Sequence, residues 1–292
     1  MFSPDEIKKR FYPGQDWLYL KLYMGPETAE EWLCFNLPLV IRELNQIMPG
    51  YQYFFVRYLD PDFHIRLRIR LPHHGDFAKA LDLINLHSAL FLRQGLIWKV
   101  EIATYERETE RYGINRIELF ESAFCADSQF WLSVLPWLSL QEDGEEIRWR
   151  IAVLSAVRYF QDLHGDKEMA IELLDRIVRQ LKKEQKVTRS TQYQIDHKFR
   201  AIRPELLALM DDGMSDHPQL EAKFINRSYI ISELFEQYRK GQNFFPGSHG
   251  DLSLTDLIHL SLNRGLRARH RKQEYVIYYF IAKLFRVQLA LV

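Results

Sequence analysis

Residues 63–71 read Phe-His-Ile-Arg-Leu-Arg-Ile-Arg-Leu, a strict alternation of apolar and polar side chains. Successive side chains of a β-strand point to opposite faces, so this period of two predicts a strand with one face on a core. The other face presents polar side chains about 7 Å apart: His64, Arg66, Arg68 and Arg70. Because like charges at this spacing repel one another, we expect acidic side chains or an anionic ligand over them.

Strand and helix patterns alternate around this segment. Three more segments are predicted strands: Trp17–Met24, Tyr53–Tyr58 and Trp98–Thr104. Two helices are predicted between them: Thr28–Met48 and Asp76–Arg93. The first begins with Thr28 and Glu31 at the spacing of a capping box. The order β-α-β-β-α-β indicates a ferredoxin-like sheet with both helices on one face, so we expect an α+β fold.

From residue 117 onward the apolar spacing changes to helical periods. Seven helices are predicted: 117–139, 145–163, 166–183, 188–212, 219–240, 253–268 and 271–288. The segment 243–247 is predicted to separate two of them. We therefore expect a ferredoxin-like α+β unit at 1–116 and a helical region at 117–292 packed on it, together forming one domain.

The composition restricts the class of protein. Lys plus Arg and Asp plus Glu are 39 each in 292 residues, and this neutral balance argues against general nucleic-acid binding. Cys34 and Cys125 are far apart and have no CxxC partner, as in proteins of reducing compartments. The sequence shows neither a signal peptide nor a membrane span, so we expect a cytoplasmic protein.

The arginine strand is the first candidate site, together with Arg57. Arginine binds carboxylates through a bidentate fork, so a row of arginines suits a ligand with more than one carboxylate. The alternative is a structural network of ion pairs with acidic neighbours, and the residues alone leave both open.

Two other segments carry chemistry-bearing residues. Residues 104–113 follow the fourth predicted strand, where functional loops often lie, although such a charge run is more typical of a solvated surface. In 256–264, His259 and Asn263 share a helical face, with Asp256 one turn before. A helical histidine is more often structural than catalytic. No zinc-spaced cysteines, Walker loop or serine-hydrolase motif occurs, so neither metal nor cofactor is expected.

Taken together, these segments resemble the C-terminal elimination region of lanthipeptide dehydratases, a family that includes stand-alone thiopeptide-type bacteriocin biosynthesis proteins. The matching strings occur in the family's order: WLYLKLY (17–23), PLVIRELN (38–45), FFVRYLDPDFHIRLRIRL (54–71), TYERETERYG (104–113), ELFESAFCADS (118–128) and IHLSLNR (258–264).

The resemblance implies an enzyme that acts on a ribosomal precursor peptide. In that family a separate domain or protein glutamylates Ser or Thr, with glutamyl-tRNA as donor. The elimination domain then expels glutamate and leaves dehydroalanine or dehydrobutyrine. At 292 residues, we expect this chain to hold only the elimination activity, a carbon–oxygen lyase whose glutamylating partner is encoded elsewhere.

The resemblance also implies site residues: Arg66, Arg68, Arg107 and His259 fall on the family's functional positions. Arg66 and Arg68 are expected to bind the glutamyl group, and Arg107 to support its carboxylate or the enolate oxygen. His259 is expected to transfer the proton, with Asn263 or Asp256 orienting its ring. Further substrate-binding candidates are Arg57, His64, Arg70, Arg111 and Asn263.

The chain departs from the family's pattern at two places. Ile114 and Asn115 follow Gly113 where the family has a second glycine, and Ser261 replaces a second histidine. Neither change removes a proposed catalytic group, but both alter the surroundings of the substrate.

Three alternatives remain open. Relatives of this fold in thiopeptide pathways form a pyridine by a [4+2] cycloaddition between two dehydroalanines, and they tend to lack the arginine set. A non-catalytic module could instead bind the precursor peptide along a sheet edge. RNA binding through surface aromatics ranks last, because the net charge is zero.

Overall fold

The computed structural model describes residues 8–164, 166–241, 250–267 and 270–290. They belong to two compact units, Met1–Gln141 and Glu142–Val292. Among the described helices, none is both long enough and apolar enough to cross a membrane. The predicted break at 243–247 lies outside the described residues.

The described residues of the first unit form six strands: β1 (Arg10–Phe11), β2 (Trp17–Met24), β3 (Gln52–Leu59), β4 (Phe63–Arg70), β5 (Ile97–Ile102) and β6 (Tyr105–Glu106). Strands β2 to β5 form one antiparallel sheet in the order β3-β4-β2-β5. This strand order confirms the predicted α+β, ferredoxin-like fold. The sequence analysis did not predict β1 and β6, which pair with each other as a separate two-stranded ribbon.

The helices of this unit are α1 (Pro26–Glu31), α2 (Leu37–Ile47), α3 (Phe77–Arg93), α4 (Thr109–Tyr112) and α5 (Ile117–Leu138). A π-helical turn, Trp32–Asn36, joins α1 to α2. The predicted capping box at Thr28 is wrong, because α1 begins at Pro26 and has no side-chain cap. Proline suits a first helical position, since its φ is already helical and the N–H it lacks would have no partner there.

The two faces of the sheet differ in character. Leu18, Leu20, Ile65 and Leu67 lie on the face that bears α1 and α3, and all are fully buried. We call the opposite face the polar face. Its strand residues, read from the register, are Gln52, Phe54, Val56 and Tyr58 on β3, His64, Arg66, Arg68 and Arg70 on β4, Trp17, Tyr19, Lys21 and Tyr23 on β2, and Lys99 and Glu101 on β5.

Helix α5 packs along β3, which is an edge strand of the described sheet and pairs with β4. The backbone N–H of Phe55 donates a hydrogen bond to Ser128 Oγ at 3.2 Å. The rings of Phe54 and Phe124 lie 5.5 Å apart. These contacts attach α5 to the sheet, so the first unit extends to Gln141, past the expected end of the α+β unit at residue 116.

The second unit is helical throughout the part that the structure describes. Its helices are α6 (Gly144–His164), α7 (Lys167–Glu184), α8 (Arg189–Asp212), α9 (Pro218–Gly241), α10 (Gly250–Gly265) and α11 (His270–Ala290). Helix α11 packs on α7 and α8, and α10 packs on α6. All six correspond to predicted helices, with ends that differ by up to a few residues.

Candidate functional site

Arg66 is held on the polar face by two neighbours near the start of β4. Its Nε donates to His64 Nε2 at 3.1 Å, and its guanidinium carbon lies 3.3 Å from the centre of the Tyr58 ring. The Nδ1–H of His64 donates to the Asp62 carbonyl at 2.8 Å, so the ring is neutral and accepts at Nε2. Burial lowers the pKa of His64, which favours that neutral form. His64 therefore orients Arg66.

Arg68 lies in a cage of aromatic rings. Its guanidinium carbon is 4.3 Å from the centre of the Tyr19 ring, 5.1 Å from Tyr105 and 5.2 Å from Phe54. Aromatic faces attract a guanidinium and restrict its motion. The cage thus fixes the group, and no carboxylate of a described residue pairs with it.

Both guanidiniums lack an anionic partner within the described ranges. Neither Arg66 nor Arg68 makes a salt bridge to a described residue. The buried Nε of Arg68 has no hydrogen-bond acceptor there either. Because an unpaired buried donor is costly and guanidiniums bind carboxylate oxygens well, Arg66 and Arg68 are candidates for binding an anionic ligand.

One carboxylate stands among the strand residues of the polar face, and it belongs to Glu101. It accepts from the Tyr23 hydroxyl at 3.0 Å and from Lys99 Nζ at 2.5 Å, and Lys21 Nζ lies 3.4 Å away. The hydrogen bond from Lys99, with that from Tyr23, lowers the pKa of Glu101 to about 2. Glu101 therefore pairs with lysines and does not neutralise Arg66 or Arg68.

Arg107 is not an open ligand site but part of a buried ion pair. Its Nε and Nη2 donate to the two oxygens of Glu121 at 2.8 and 2.7 Å. Glu121 also accepts from the Tyr105 hydroxyl at 2.8 Å, and Glu118 accepts a further bond from Arg107 Nη2 at 3.1 Å. Tyr105 is one wall of the Arg68 cage. Arg107 therefore reaches Arg68 indirectly, by fixing Glu121 and Tyr105.

The structure separates Arg57 from the other strand arginines. In the register of β3 and β4, Arg57 is opposite Ile65, on the face that carries the helices. Its Nη2 donates to a Glu30 oxygen at 2.6 Å, and both residues are buried. Grouping Arg57 with Arg66 and Arg68 was therefore wrong, because alternation along β3 turns it into the core.

The remaining candidates of this unit lie in less constrained places. Arg70 is on the polar face, partly exposed, with Glu118 at 3.7 Å. Arg111 lies at the surface on α4, where it pairs with Glu108 at 3.2 Å. Such exposed pairs contribute little to stability.

His259 lies on α10 in the second unit and is fixed by α11. Its Nδ1 is hydrogen-bonded to Glu274, whose side chain is completely buried. A carboxylate can only accept, so Nδ1 carries a proton, and in the neutral form of the ring the lone pair is therefore on Nε2. The imidazole is about one-third exposed (31%), so a proton can reach it. The pair has the form of a general base with an orienting carboxylate.

Glu274 is held in turn by an ion-pair chain. Arg271 Nη1 donates to the second Glu274 oxygen at 2.7 Å, and Arg271 also binds both oxygens of Glu184, at 3.0 and 2.7 Å. Hydrogen bonds from Arg271 lower the pKa of Glu184 and keep it ionised. A fixed charge therefore lies behind the imidazole.

The expected orientation of His259 by Asn263 or Asp256 is wrong, because its one hydrogen bond to a described residue goes to Glu274. Asn263 is buried one turn further along α10. Glu274 is 15 positions from His259 in sequence and on another helix. No local spacing indicates that pairing.

Comparison with known proteins gives consistent matches. The model of the family "Lantibiotic biosynthesis dehydratase C-term" matches residues 17–285. The nisin biosynthesis protein NisB of Lactococcus lactis subsp. lactis is 26% identical over 279 residues, which are 94% of this chain and 26% of NisB. The subtilin biosynthesis protein SpaB of Bacillus subtilis is 36% identical over 126 residues, 43% of this chain and 12% of SpaB. The chain thus spans about a quarter or less of these curated relatives.

Solved structures share the fold. The tRNA-dependent lantibiotic dehydratase MibB from Microbispora sp. 107891 aligns with a TM-score of 0.69 at 22% identity, over 97% of this chain and 28% of MibB. The pyridine synthase TbtD from thiomuracin biosynthesis aligns with a TM-score of 0.65 at 11% identity, over 95% of this chain and 100% of TbtD.

The family match covers most of the sequence and confirms the resemblance found in its motifs. The chain belongs to the C-terminal family of lantibiotic biosynthesis dehydratases.

Proposed function

We propose that the chain is the glutamate-eliminating lyase of a split peptide dehydratase. Its substrate is a ribosomal precursor peptide in which a separate protein has glutamylated Ser or Thr with glutamyl-tRNA as donor. The product is dehydroalanine or dehydrobutyrine. One observation carries the proposal: Arg66 and Arg68 lie side by side on one face, fixed by aromatic rings and without a carboxylate partner among the described residues.

The reaction breaks two bonds and forms one π bond. A base removes the Cα proton, the electron pair forms the Cα=Cβ bond, and the Cβ–O bond breaks as glutamate leaves through its carboxylate. The leaving group is anionic, and its side-chain carboxylate is a second anion. Arg66 and Arg68 are assigned to these carboxylates, because guanidiniums bind them bidentately and stabilise the charge that develops.

His259 is assigned to the proton transfer. With Nδ1–H on Glu274, the lone pair of Nε2 is available to accept the Cα proton. The ionised Glu274 stabilises the imidazolium that results, and the proton then passes to solvent. Arg107 is assigned as a positioning residue, because its nitrogens bind Glu121 and Glu118.

The test uses a synthetic peptide that carries an L-glutamyl ester on one Ser. Incubation with the purified chain should give a peptide lighter by one water than the unmodified Ser peptide, as followed by mass spectrometry. Arg66→Gln and His259→Ala should each leave the ester intact, whereas Glu106→Gln, an exposed change on β6, should not. An ester that survives the wild-type chain would contradict the proposal.

The likeness to TbtD favours a second candidate, pyridine formation. That reaction joins two dehydroalanines and releases no glutamate. It therefore provides no carboxylate ligand for the guanidiniums of Arg66 and Arg68. A peptide with two dehydroalanines distinguishes the candidates, because a cycloaddition enzyme consumes it and a glutamate lyase does not.

A further inference from the structure

Arg66 takes its orientation from a histidine. Among the described residues, the one hydrogen bond that its guanidinium makes runs from its Nε–H to His64 Nε2, at 3.1 Å. An imidazole nitrogen accepts a hydrogen bond only while it carries no proton. The bond that fixes Arg66 therefore exists only while His64 is neutral.

The imidazole of His64 is itself fixed, so it cannot turn to offer its other nitrogen. Nδ1–H donates to the Asp62 carbonyl at 2.8 Å. The ring centre lies 4.6 Å from that of Tyr23 and 5.4 Å from that of Tyr58, and the residue is buried. A proton that His64 gains must therefore go to Nε2, the atom that faces Arg66.

Protonation at Nε2 would convert this contact from attraction to repulsion. It would set two N–H donors and two positive charges against each other across the present 3.1 Å contact. Two donors form no hydrogen bond, and like charges at this distance repel. The ring of Tyr58 attracts the guanidinium but offers no acceptor for its Nε–H. Arg66 would therefore lose its orientation.

The surroundings of His64 set when this happens. The titratable and charged groups that face it are Arg66 on β4, Tyr58 on β3, Tyr23 and Lys21 on β2, and Glu101 on β5. Burial lowers the pKa of His64, the cations of Arg66 and Lys21 lower it further, and Glu101 opposes them. The ring is thus neutral near pH 7 and gains its proton below about pH 6.5.

We propose that His64 is a proton-controlled positioning residue for the glutamyl group. While neutral, it holds the guanidinium of Arg66 ready for a carboxylate; when protonated, it releases Arg66, and the glutamyl peptide binds more weakly. The inference rests on the proposed function, because it takes the ligand of Arg66 to be the glutamyl group. It adds that mild acid weakens substrate binding, separately from any effect on the base His259.

The experiment measures binding without turnover. The probe is a fluorescent peptide that carries the glutamyl group on an amide in place of the Ser ester, so that nothing can be eliminated. Its Kd for the purified full chain, from fluorescence anisotropy, should rise at least about threefold between about pH 7.5 and about pH 5. The side-chain carboxyl of the glutamyl group, with a pKa of about 4.3, stays largely ionised over this range.

Two variants separate the acceptor from the proton. The amide oxygen of His64→Gln can accept from Arg66 and does not titrate, so its Kd should stay within about threefold of the wild type near neutral pH and should not rise in acid. His64→Leu offers no acceptor, so its Kd should be raised at every pH. Melting temperatures report whether each variant remains folded.

His87→Gln is the matched control. His87 is hydrogen-bonded to Glu43 between α3 and α2, on the other face of the sheet, so this change should leave the pH dependence of the Kd intact. A wild-type Kd that does not change with pH overturns the proposal. So does a His64→Gln variant that keeps the wild-type rise in acid, or a His64→Leu variant that binds as tightly as the wild type.

Elimination of the corresponding ester peptide, measured on the same preparations, separates this inference from the proposed function. Elimination together with a Kd that ignores His64 removes the positioning role and leaves the lyase. A Kd that weakens in acid through His64, without elimination, removes the lyase and leaves a glutamyl-binding site under proton control.

Discussion

Glu274 and His259 are joined by a hydrogen bond between two helices, α11 and α10, with the carboxylate wholly buried and the imidazole partly exposed. The carboxylate fixes both the tautomer and the direction of the ring. A residue with no access to solvent thus determines which nitrogen of His259 can act as a base.

Glu274→Gln should lower the elimination rate by about 100-fold while the protein stays folded. An amide can donate as well as accept, so it no longer enforces a proton on Nδ1, and it cannot stabilise an imidazolium. The measurement is the single-turnover rate with the glutamyl-ester peptide between pH 6 and about pH 9. Glu184→Gln changes the carboxylate on the far side of Arg271, and it should lower the elimination rate much less. Equal effects would indicate a purely structural role.

Arg107→Lys should destabilise the protein, although lysine keeps the positive charge. The bidentate contact with Glu121 needs two N–H groups in a plane, and lysine leaves a buried carboxylate underpaired. We expect a loss of about 3 kcal/mol in the free energy of unfolding, measured in urea. A double change to Arg107→Met and Glu121→Met should recover much of that stability yet not the orientation of Tyr105. Recovery of full elimination by the double variant would contradict the positioning role.

Arg57→Met and Arg66→Gln should separate stability from activity. Arg57 forms a buried ion pair with Glu30, so Arg57→Met removes the cation that faces a buried carboxylate and lowers the melting temperature. Arg66 has no described carboxylate partner, so Arg66→Gln should leave the melting temperature nearly unchanged and abolish elimination. The opposite pattern would place the ligand on the other face of the sheet.

The protonation of His64 should lower the stability of the folded chain as the pH falls. Burial lowers its pKa in the folded chain below the value of about 6.5 for an unfolded histidine. The unfolded state therefore binds more protons, so the stabilisation is complete above about pH 6.5 and is lost as the pH falls below it. Melting temperatures at pH 7.5 and about pH 5.5 measure this. His64→Gln, which cannot titrate, should show a smaller decrease.

Much of the sheet follows from local pattern, because strand period and turn residues are local signals. Trp17–Met24 was predicted with both ends correct, and the arginine strand ends one residue earlier than predicted. The face of Arg57 was also readable, since it has the same parity as Tyr53 and Phe55 along its strand. The β1–β6 ribbon has two residues in each strand, too few for a period to register.

The site was harder to predict than the fold. Sequence alone identified the charged positions. It could not show that Arg107 forms an ion pair with Glu121, whereas Arg66 and Arg68 have no described carboxylate partner. Whether a given arginine lies next to a carboxylate depends on which side chains the tertiary structure brings together. The same holds for Glu274, which belongs to none of the sequence motifs.

The attachment of α5 to β3 gives the sheet one closed edge and one open edge. Ser128 accepts a hydrogen bond from a backbone N–H of β3, whereas β5 pairs, among the described strands, with β2 alone and exposes Trp98 and Ile102. If two copies of the chain associate by pairing edge strands, we therefore expect the contact to form at β5. An engineer who needs concentrated protein should place a lysine at Trp98 and leave Ser128 untouched.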